Sequence, residues 1–144
     1  MMKAPFGFPL DPAVWTVEVT DTTERSQTLP VQNTWYNLGS VSIDIPIGIW
    51  HVSYTIQFEN SLSGKALAVT LSDANNTELS PDNSIEVVTR INEETFYGYK
   101  EMNIVTTSKT TYYINTRSRS ASPGTLYNNN DFTKLIIKVV SIYL

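Results

Sequence analysis

The sequence has no cysteine and a single histidine, His51. The absence of cysteine excludes disulfide bonds, so an extracellular form of this protein must obtain its robustness from packing or from assembly. One histidine excludes a metal site built from several histidines, and a serine triad would depend wholly on His51. Phosphate-binding glycine loops and the spacing of calcium-binding loops are also missing, so we predict neither a cofactor nor a metal.

Basic residues are also few, since 10 Lys and Arg stand against 14 Asp and Glu and give a net charge of −4. Phosphate contacts need a concentrated basic face, so we predict no nucleic-acid partner. No apolar stretch approaches the length of a membrane span, and we expect no membrane partner. The hydrophobic fraction of 41% and the charged fraction of 17% are typical of a folded chain, and 144 residues suit one domain.

The first 13 residues are spaced by proline and glycine. Pro5, Gly7, Pro9 and Pro12 interrupt any continuous apolar helix, and no small-residue cleavage site follows, so the segment does not fit a signal peptide. We expect residues 1–13 to form an extended arm or a neck that joins a larger protein; a partly disordered tail is the alternative. Residues 14–144 would then form a single head domain.

One stretch alternates strictly between apolar and polar residues. From Trp50 to Phe58 every second residue is apolar, while His51, Ser53, Thr55 and Gln57 fall on the opposite parity. A period of two is the signature of a strand with one buried face and one polar face. We therefore expect the side that carries Trp50 to face a core.

Helix signals are nearly missing, because no window holds apolar residues at spacings of three and four over several turns. Strand candidates, rich in β-branched and aromatic residues, follow one another and are separated by Gly, Asn, Pro and Ser joints. They cover residues 14–19, 34–45, 49–58, 66–72, 84–91, 99–107, 110–117 and 133–144. This pattern predicts an all-β fold, an antiparallel jelly-roll β-sandwich.

The last strand candidate is apolar on both parities. A sandwich strand normally shows one face to water, so the second apolar face of residues 133–144 needs a cover. We expect a homotrimer whose axis is lined partly by Val140, Ile142 and Leu144, since cyclic closure removes exposed apolar area without disulfides. The alternative is an internal strand that the chain's own loops cover.

The strand pattern resembles a known group of proteins. The segments TWYNLGSVSIDIPIGIWHVSYTIQFEN, TTYYINTR and TKLIIKVVSIYL occur in the order seen in C-terminal head domains of phage tail fibres and receptor-binding proteins. Those heads are similar to the trimeric jelly rolls of tumour necrosis factor and of the first complement component. The resemblance implies a homotrimer at the phage tail tip, outside the cell, in contact with other phage tail proteins. No collagenous or transmembrane lead-in precedes it, which favours the phage interpretation.

The function predicted from the sequence is host attachment through a cell-surface saccharide, without catalysis. A structural virion module, such as a head-decoration or fibre-trimerisation domain without receptor binding, is the alternative. A second alternative is an enzyme that acts on the host envelope. The chain carries 8 Tyr and 3 Trp, and aromatic rings beside amides and carboxylates suit sugars, because the ring covers the C–H face while polar groups bond the hydroxyls.

The ligand-binding candidates are aromatic, amide, acidic and basic residues in the second half of the chain: Tyr97, Tyr99, Arg117, Arg119, Tyr127, Asn129 and Asp131. The two arginines would hold a phosphate or carboxylate of a charged glycan. We place the ligand in loops, because loops held by a rigid sandwich usually carry recognition. The polar side of residues 49–58 is assigned to a subunit interface or to solvent, and the small residues on one face of 66–72 favour close approach of another surface.

Overall fold

Ten β-strands and one short 3-10 helix, Pro81–Asn83, make up the described part of the chain. The computed structural model describes residues 16–62, 65–88, 95–120, 124–128 and 135–142. No helix in these ranges is long and apolar enough to cross a membrane. The strands are Thr16–Asp21 (β1), Arg25–Thr28 (β2), Ser42–Ile45 (β3), Gly48–Asn60 (β4), Ala66–Ser72 (β5), Ser84–Val88 (β6), Thr95–Thr106 (β7), Thr110–Ser118 (β8), Thr125–Asn128 (β9) and Leu135–Ser141 (β10).

Strand β4 is the centre of the first sheet. The side that carries Trp50, Val52 and Tyr54 is buried in the core, as the alternation predicts. One edge of β4 pairs with β7 along nearly its whole length. The other edge is shared, because β10 pairs with its first half and β9 with its last three residues. Strands β1 and β2 complete this sheet by pairing with β10 and β9.

The predicted jelly-roll sandwich is confirmed by the strand order. The first sheet contains the order β1-β10-β4-β7, and the second sheet has the order β3-β8-β5-β6, with every pair antiparallel. Along these eight strands the chain changes sheet at every connection except β5–β6. Such crossing connections wind two Greek keys into one sandwich, and the inward side chains of both sheets form a single core.

The segment 34–45, predicted as one strand, is divided by a tight turn. Leu38 and Gly39 both have positive φ, and the Ser40 N–H donates to the carbonyl oxygen of Asn37 at 3.0 Å. Two consecutive left-handed residues are what a type I′ turn requires. Only Ser42–Ile45 is therefore a strand. Strands β2 and β9 were not predicted, and the expected arm, 1–13, lies outside the described residues.

The small residues of β5 are covered within the chain itself. Ala68, Thr70 and Ser72 lie on the outer parity of the second sheet, yet all three are fully buried. The loop 73–80 folds over them, because the Asn115 side-chain amide donates to two carbonyl oxygens of this loop and accepts an N–H from it. The expectation that another surface approaches these residues is therefore wrong.

Strand β7 has β4 on one edge, and no described strand pairs with its other edge. Its inner face carries Phe96, Met102 and Ile104, and also one charged residue, Lys100, directly opposite Tyr54 of β4. In the described part of the chain this edge of β7 therefore has no strand partner, and Lys100 is the one inward-facing charge on the strand.

Leu29 holds a backbone conformation that leucine disfavours. Its φ is +48° and its side chain is 69% exposed, so little packing offsets the steric cost. An L-residue with a branched side chain loses about 1–2 kcal/mol in the left-handed region, whereas asparagine tolerates it. We expect Leu29→Asn to raise the free energy of unfolding by about 1 kcal/mol in urea denaturation. Leu79→Asn is the matched control, because Leu79 is also exposed and is not among the positive-φ residues; an equal gain in both variants would contradict the explanation.

Candidate functional site on the outer face of the first sheet

Two tyrosines stand side by side on the outer face of β7. Tyr97 and Tyr99 are two residues apart in the strand, so they point to the same face. Their exposed fractions are 71% and 61%, which is high for aromatic side chains inside a strand. Their cross-strand partners on β4 are Gln57 and Thr55. The pair forms an aromatic surface with amide and hydroxyl groups beside it.

Gly98 lies between the two tyrosines and faces the core. A Cβ at this position would lie 2.7 Å from Cδ1 of Ile85 and 3.1 Å from Cε1 of Phe58. Ile85 belongs to the second sheet and Phe58 to the first, so the two sheets meet at this glycine. The absence of a side chain lets the sheets pack closely beneath Tyr97 and Tyr99.

A third tyrosine reaches the same face from the other side of β4. Tyr127 of β9 lies directly opposite Glu59, and Glu59 lies directly opposite Thr95 of β7. Residues directly opposite in an antiparallel pair share a face, so Tyr127 shares the outer face with Tyr97. Two strand spacings, about 10 Å, separate β9 from β7. Glu59 and Gln57 are buried in the floor between them, and Glu59 accepts a hydrogen bond from the Thr95 hydroxyl at 3.0 Å.

Acidic and polar groups continue this face along β7. The Tyr99 hydroxyl donates to Oε2 of Glu101 at 2.7 Å, and this hydrogen bond raises the pKa of Tyr99 above its ordinary value. His51 lies beyond Glu101, with Nε2 at 3.6 Å from the same carboxylate oxygen and Nδ1 at 3.2 Å from Oδ1 of Asn103. Within the described ranges, no group of three acidic or histidine side chains is arranged to hold a metal ion.

The two candidate arginines lie on the opposite side of the sandwich. The Arg117 guanidinium stacks on the ring of Trp35 at 4.3 Å from its centroid, and its Nη2 lies 3.0 Å from Oε1 of Glu86. The other carboxylate oxygen of Glu86 pairs with Arg119, and Glu78 lies at 3.9 Å from Arg117. Their charges are thus matched by glutamates of the same chain, and they do not join the tyrosines in one site.

Most of the candidate residues are strand residues. Arg117 lies near the end of β8, as expected of the predicted strand end, and Tyr99 lies in β7, within a predicted strand. Tyr97, also in β7, and Tyr127, in β9, are strand residues as well, so the placement of the ligand-binding tyrosines in loops is wrong. Arg119 follows the end of β8. The remaining two candidates, Asn129 and Asp131, lie outside the described residues. Whether any of the seven contacts a ligand stays a prediction.

Sequence reasoning did not include Gln57, Glu59 or Glu101 in the site. The parity of β4 placed Gln57 on the outer face, but it was assigned to an interface or to solvent together with His51. Their proximity to the tyrosines follows from the register of β7 and β9 on β4. The alternation in β4 predicts which of its residues lie on the outer face. The sequence does not indicate the register of β7 and β9 on β4, which brings the tyrosines to that face.

The far end of the same face is apolar. The Ile142 N–H donates to the carbonyl oxygen of Ile49 at 3.1 Å, and Ile49 pairs with Val105. Ile142 directly follows β10, and the three residues form a row with β4 in the middle, which we call the apolar row; Val105 is 69% exposed and Ile142 45%. Val140 lies on the same face, half-buried, opposite His51. Of the residues predicted to line a trimer axis, Val140 and Ile142 are therefore on this surface, and Leu144 lies outside the described residues.

Comparison with known proteins yields distant structural likenesses only. No protein-family model and no curated protein matches the chain. A chain of the infectious bursal disease virus Gx strain aligns at 13% identity over 89% of this chain and 37% of that chain, with a TM-score of 0.44. A pentameric capsid protein from metagenomic phage sequences aligns at 15% identity over 91% and 63% of the two chains, with a TM-score of 0.30. For the disulfide-linked pili of Bacillus endospore appendages the values are 12% identity, 88% and 90% coverage, and a TM-score of 0.33.

This chain thus spans about two fifths of the length of the virus chain. At TM-scores of 0.44 and below, these likenesses assign no family. The jelly-roll assignment rests instead on the strand order of the chain itself.

The packing beneath the tyrosines generates a test. We expect Gly98→Ala to lower the free energy of unfolding by about 1–3 kcal/mol, because the new Cβ overpacks the space beside Ile85. Ile85→Val removes the Cδ1 atom at 2.7 Å and should relieve part of this loss. A double-mutant cycle in urea measures the coupling. Purely additive effects of the two substitutions would show that the close approach of Ile85 does not limit this position.

Proposed function

We propose that the chain is a head domain that attaches to a saccharide through the outer face of its first sheet. The observation that carries the proposal is the exposed pair Tyr97 and Tyr99, held side by side on a rigid strand. Large aromatic side chains that stand exposed next to each other mark surfaces for binding. Tyr127 across β4 extends the surface to the width of three strands.

The groups around the tyrosines match the needs of a polyol. Thr55 supplies a hydroxyl beside Tyr99, and Glu101 supplies a carboxylate that is 57% exposed. Hydroxyls and carboxylates accept and direct hydrogen bonds from sugar hydroxyls, while the rings cover apolar C–H faces. A strand platform also keeps these groups at fixed spacings, which limits the ordering cost of binding.

In this proposal the head domain is part of a phage tail and lies at the tail tip, outside the cell. This part draws on the resemblance of the strand pattern to heads of tail fibres and receptor-binding proteins. The proposal is binding without catalysis. The ring nitrogens of His51 lie beside Asn103 and Glu101. Among the described residues, no serine hydroxyl is hydrogen-bonded to this ring, as a serine nucleophile would be.

Alanine substitutions test the attachment surface. We expect Tyr97→Ala and Tyr99→Ala each to weaken adsorption to host cells at least about tenfold, since aromatic side chains that a bound partner covers dominate the energy of such contacts. Tyr127→Ala should have a smaller effect in the same direction, because its side chain lies at the margin. Tyr113→Ala on the outer parity of the second sheet is the matched control. Parental adsorption by all three outer-face variants, with unchanged melting temperatures, would contradict the proposal.

The apolar row favours assembly, and it supports a second candidate function. A structural virion module without receptor binding would use this row to contact other copies of the same chain. We propose a homotrimer in either case, with Val140 and Ile142 at the subunit contact. Burial of Val105 and Ile142 would remove apolar area that is otherwise exposed to water.

Light scattering tests the trimer. The parent chain should have three times the monomer mass at micromolar concentration, and Ile142→Asp combined with Val105→Asp should reduce it to the monomer, because two buried carboxylates per subunit cannot be accommodated. Val31→Asp is the control, since Val31 is exposed away from the apolar row. A monomer mass for the parent would overturn this part of the proposal, and a trimer with no adsorption would favour the structural module.

A further inference from the structure

We infer that the tyrosine surface selects saccharides without acidic groups and prefers those that carry a protonated amine. The inference rests on the proposed function and names the class of its ligand. It replaces the charged glycan that the two arginines predicted, since these arginines lie on the other sheet and are paired with Glu86.

The charges beside the tyrosines are negative. Glu101 is hydrogen-bonded to the Tyr99 hydroxyl, and Glu59 lies in the floor opposite Tyr127. Both directly opposite partners of Tyr97 and Tyr99 are uncharged, and no Lys or Arg stands directly opposite either ring. An incoming carboxylate, sulfate or phosphate would therefore approach carboxylates, with no cation among the described residues directly opposite the rings to receive it.

The basic groups that the described residues place around this face do not change the sign of its charge. Lys138 lies two strands from Glu101, across Ser53, and its other neighbour is Glu18. His51 lies 3.6 Å from the Glu101 carboxylate, on the side away from the tyrosine rings. Lys100 is adjacent to Tyr99 in the chain but belongs to the inner face of β7. Each of these groups is either next to a glutamate or directed away from the surface.

Two features of the site attract a protonated amine. The face of a tyrosine ring draws cations through its quadrupole, and the ring of Tyr99 lies beside Glu101. The Glu101 carboxylate can pair with an ammonium group by a charge-assisted hydrogen bond. The hydrogen bond from Tyr99 fixes this carboxylate next to the ring, so both features act on one amine.

A saccharide array tests the inference. The array carries neutral glycans, amine-bearing glycans and acidic glycans that are carboxylated, sulfated or phosphorylated. The parent chain should bind neutral and amine-bearing glycans and bind acidic ones at least about tenfold more weakly at low salt. Raising the salt to about 1 M should narrow this difference, because exposed charges are then screened within a few ångströms.

Two variants separate the carboxylate from the rings. Glu101→Gln should reduce the preference for amine-bearing over neutral glycans severalfold, and it should weaken neutral binding much less, because the amide oxygen still accepts hydrogen bonds from sugar hydroxyls. Glu24→Gln removes the same charge at an exposed loop position and is the control. Tyr99→Phe keeps the aromatic ring but removes the hydroxyl that holds the Glu101 carboxylate in place. This variant should reduce the preference for amine-bearing glycans less than Glu101→Gln does.

The outcomes distinguish the two proposals. Binding to acidic glycans that Tyr97→Ala abolishes would overturn this inference and leave the attachment function standing. An amine preference that Glu101→Gln leaves intact would also overturn it. Binding to no glycan at all, or binding that Tyr97→Ala and Tyr99→Ala do not affect, would overturn the proposed function and this inference with it.

Discussion

Strand β4 is hydrogen-bonded along both edges, and the other strands of the first sheet take their positions from it. Its 13 residues are long enough for β10 and β9 to share one edge while β7 occupies the other. Each partner inherits the inside and outside parity of β4, because directly opposite residues in an antiparallel pair share a face. The tyrosines of β7 and β9 reach one surface for this reason, and so do the three members of the apolar row.

The long strands can be predicted from the sequence because alternation over nine residues, from Trp50 to Phe58, fits no other regular structure. Strands β2 and β9 behave differently. Each has four residues, RSQT and TLYN, too few to show a clear apolar alternation. Their mutual pairing joins Arg25 to Asn128, near opposite ends of the chain. Such short polar segments become strands because a partner edge is available, and a local window of sequence does not contain that edge.

In the candidate site, too, some features can be predicted from local sequence and others depend on tertiary packing. Parity alone places Tyr97 and Tyr99 on one face, yet Gly98 between them resembles a turn residue. The reason for this glycine is a contact between the two sheets, with Ile85 and Phe58, which only the tertiary packing creates.

The charge environment of Arg117 and Arg119 likewise cannot be predicted from local sequence. Their spacing is compatible with an anion site, but Glu86 of β6, on the far side of β5, pairs with both arginines, and Glu78 lies near Arg117. Charge compensation here depends on the register of three strands, which the segment TRSRS does not encode by itself.

Lys100 gives strand β7 a property that matters when many copies are crowded together. No strand of the described ranges pairs with the outer edge of β7, and a long unpaired edge of 12 residues is a template onto which further strands can add. A copy that docked along this edge would enclose the inward-facing ammonium group of Lys100 between two sandwiches, away from water. Dehydration of this charge would cost free energy, so Lys100 disfavours the addition of a further strand at the edge beside the two exposed tyrosines.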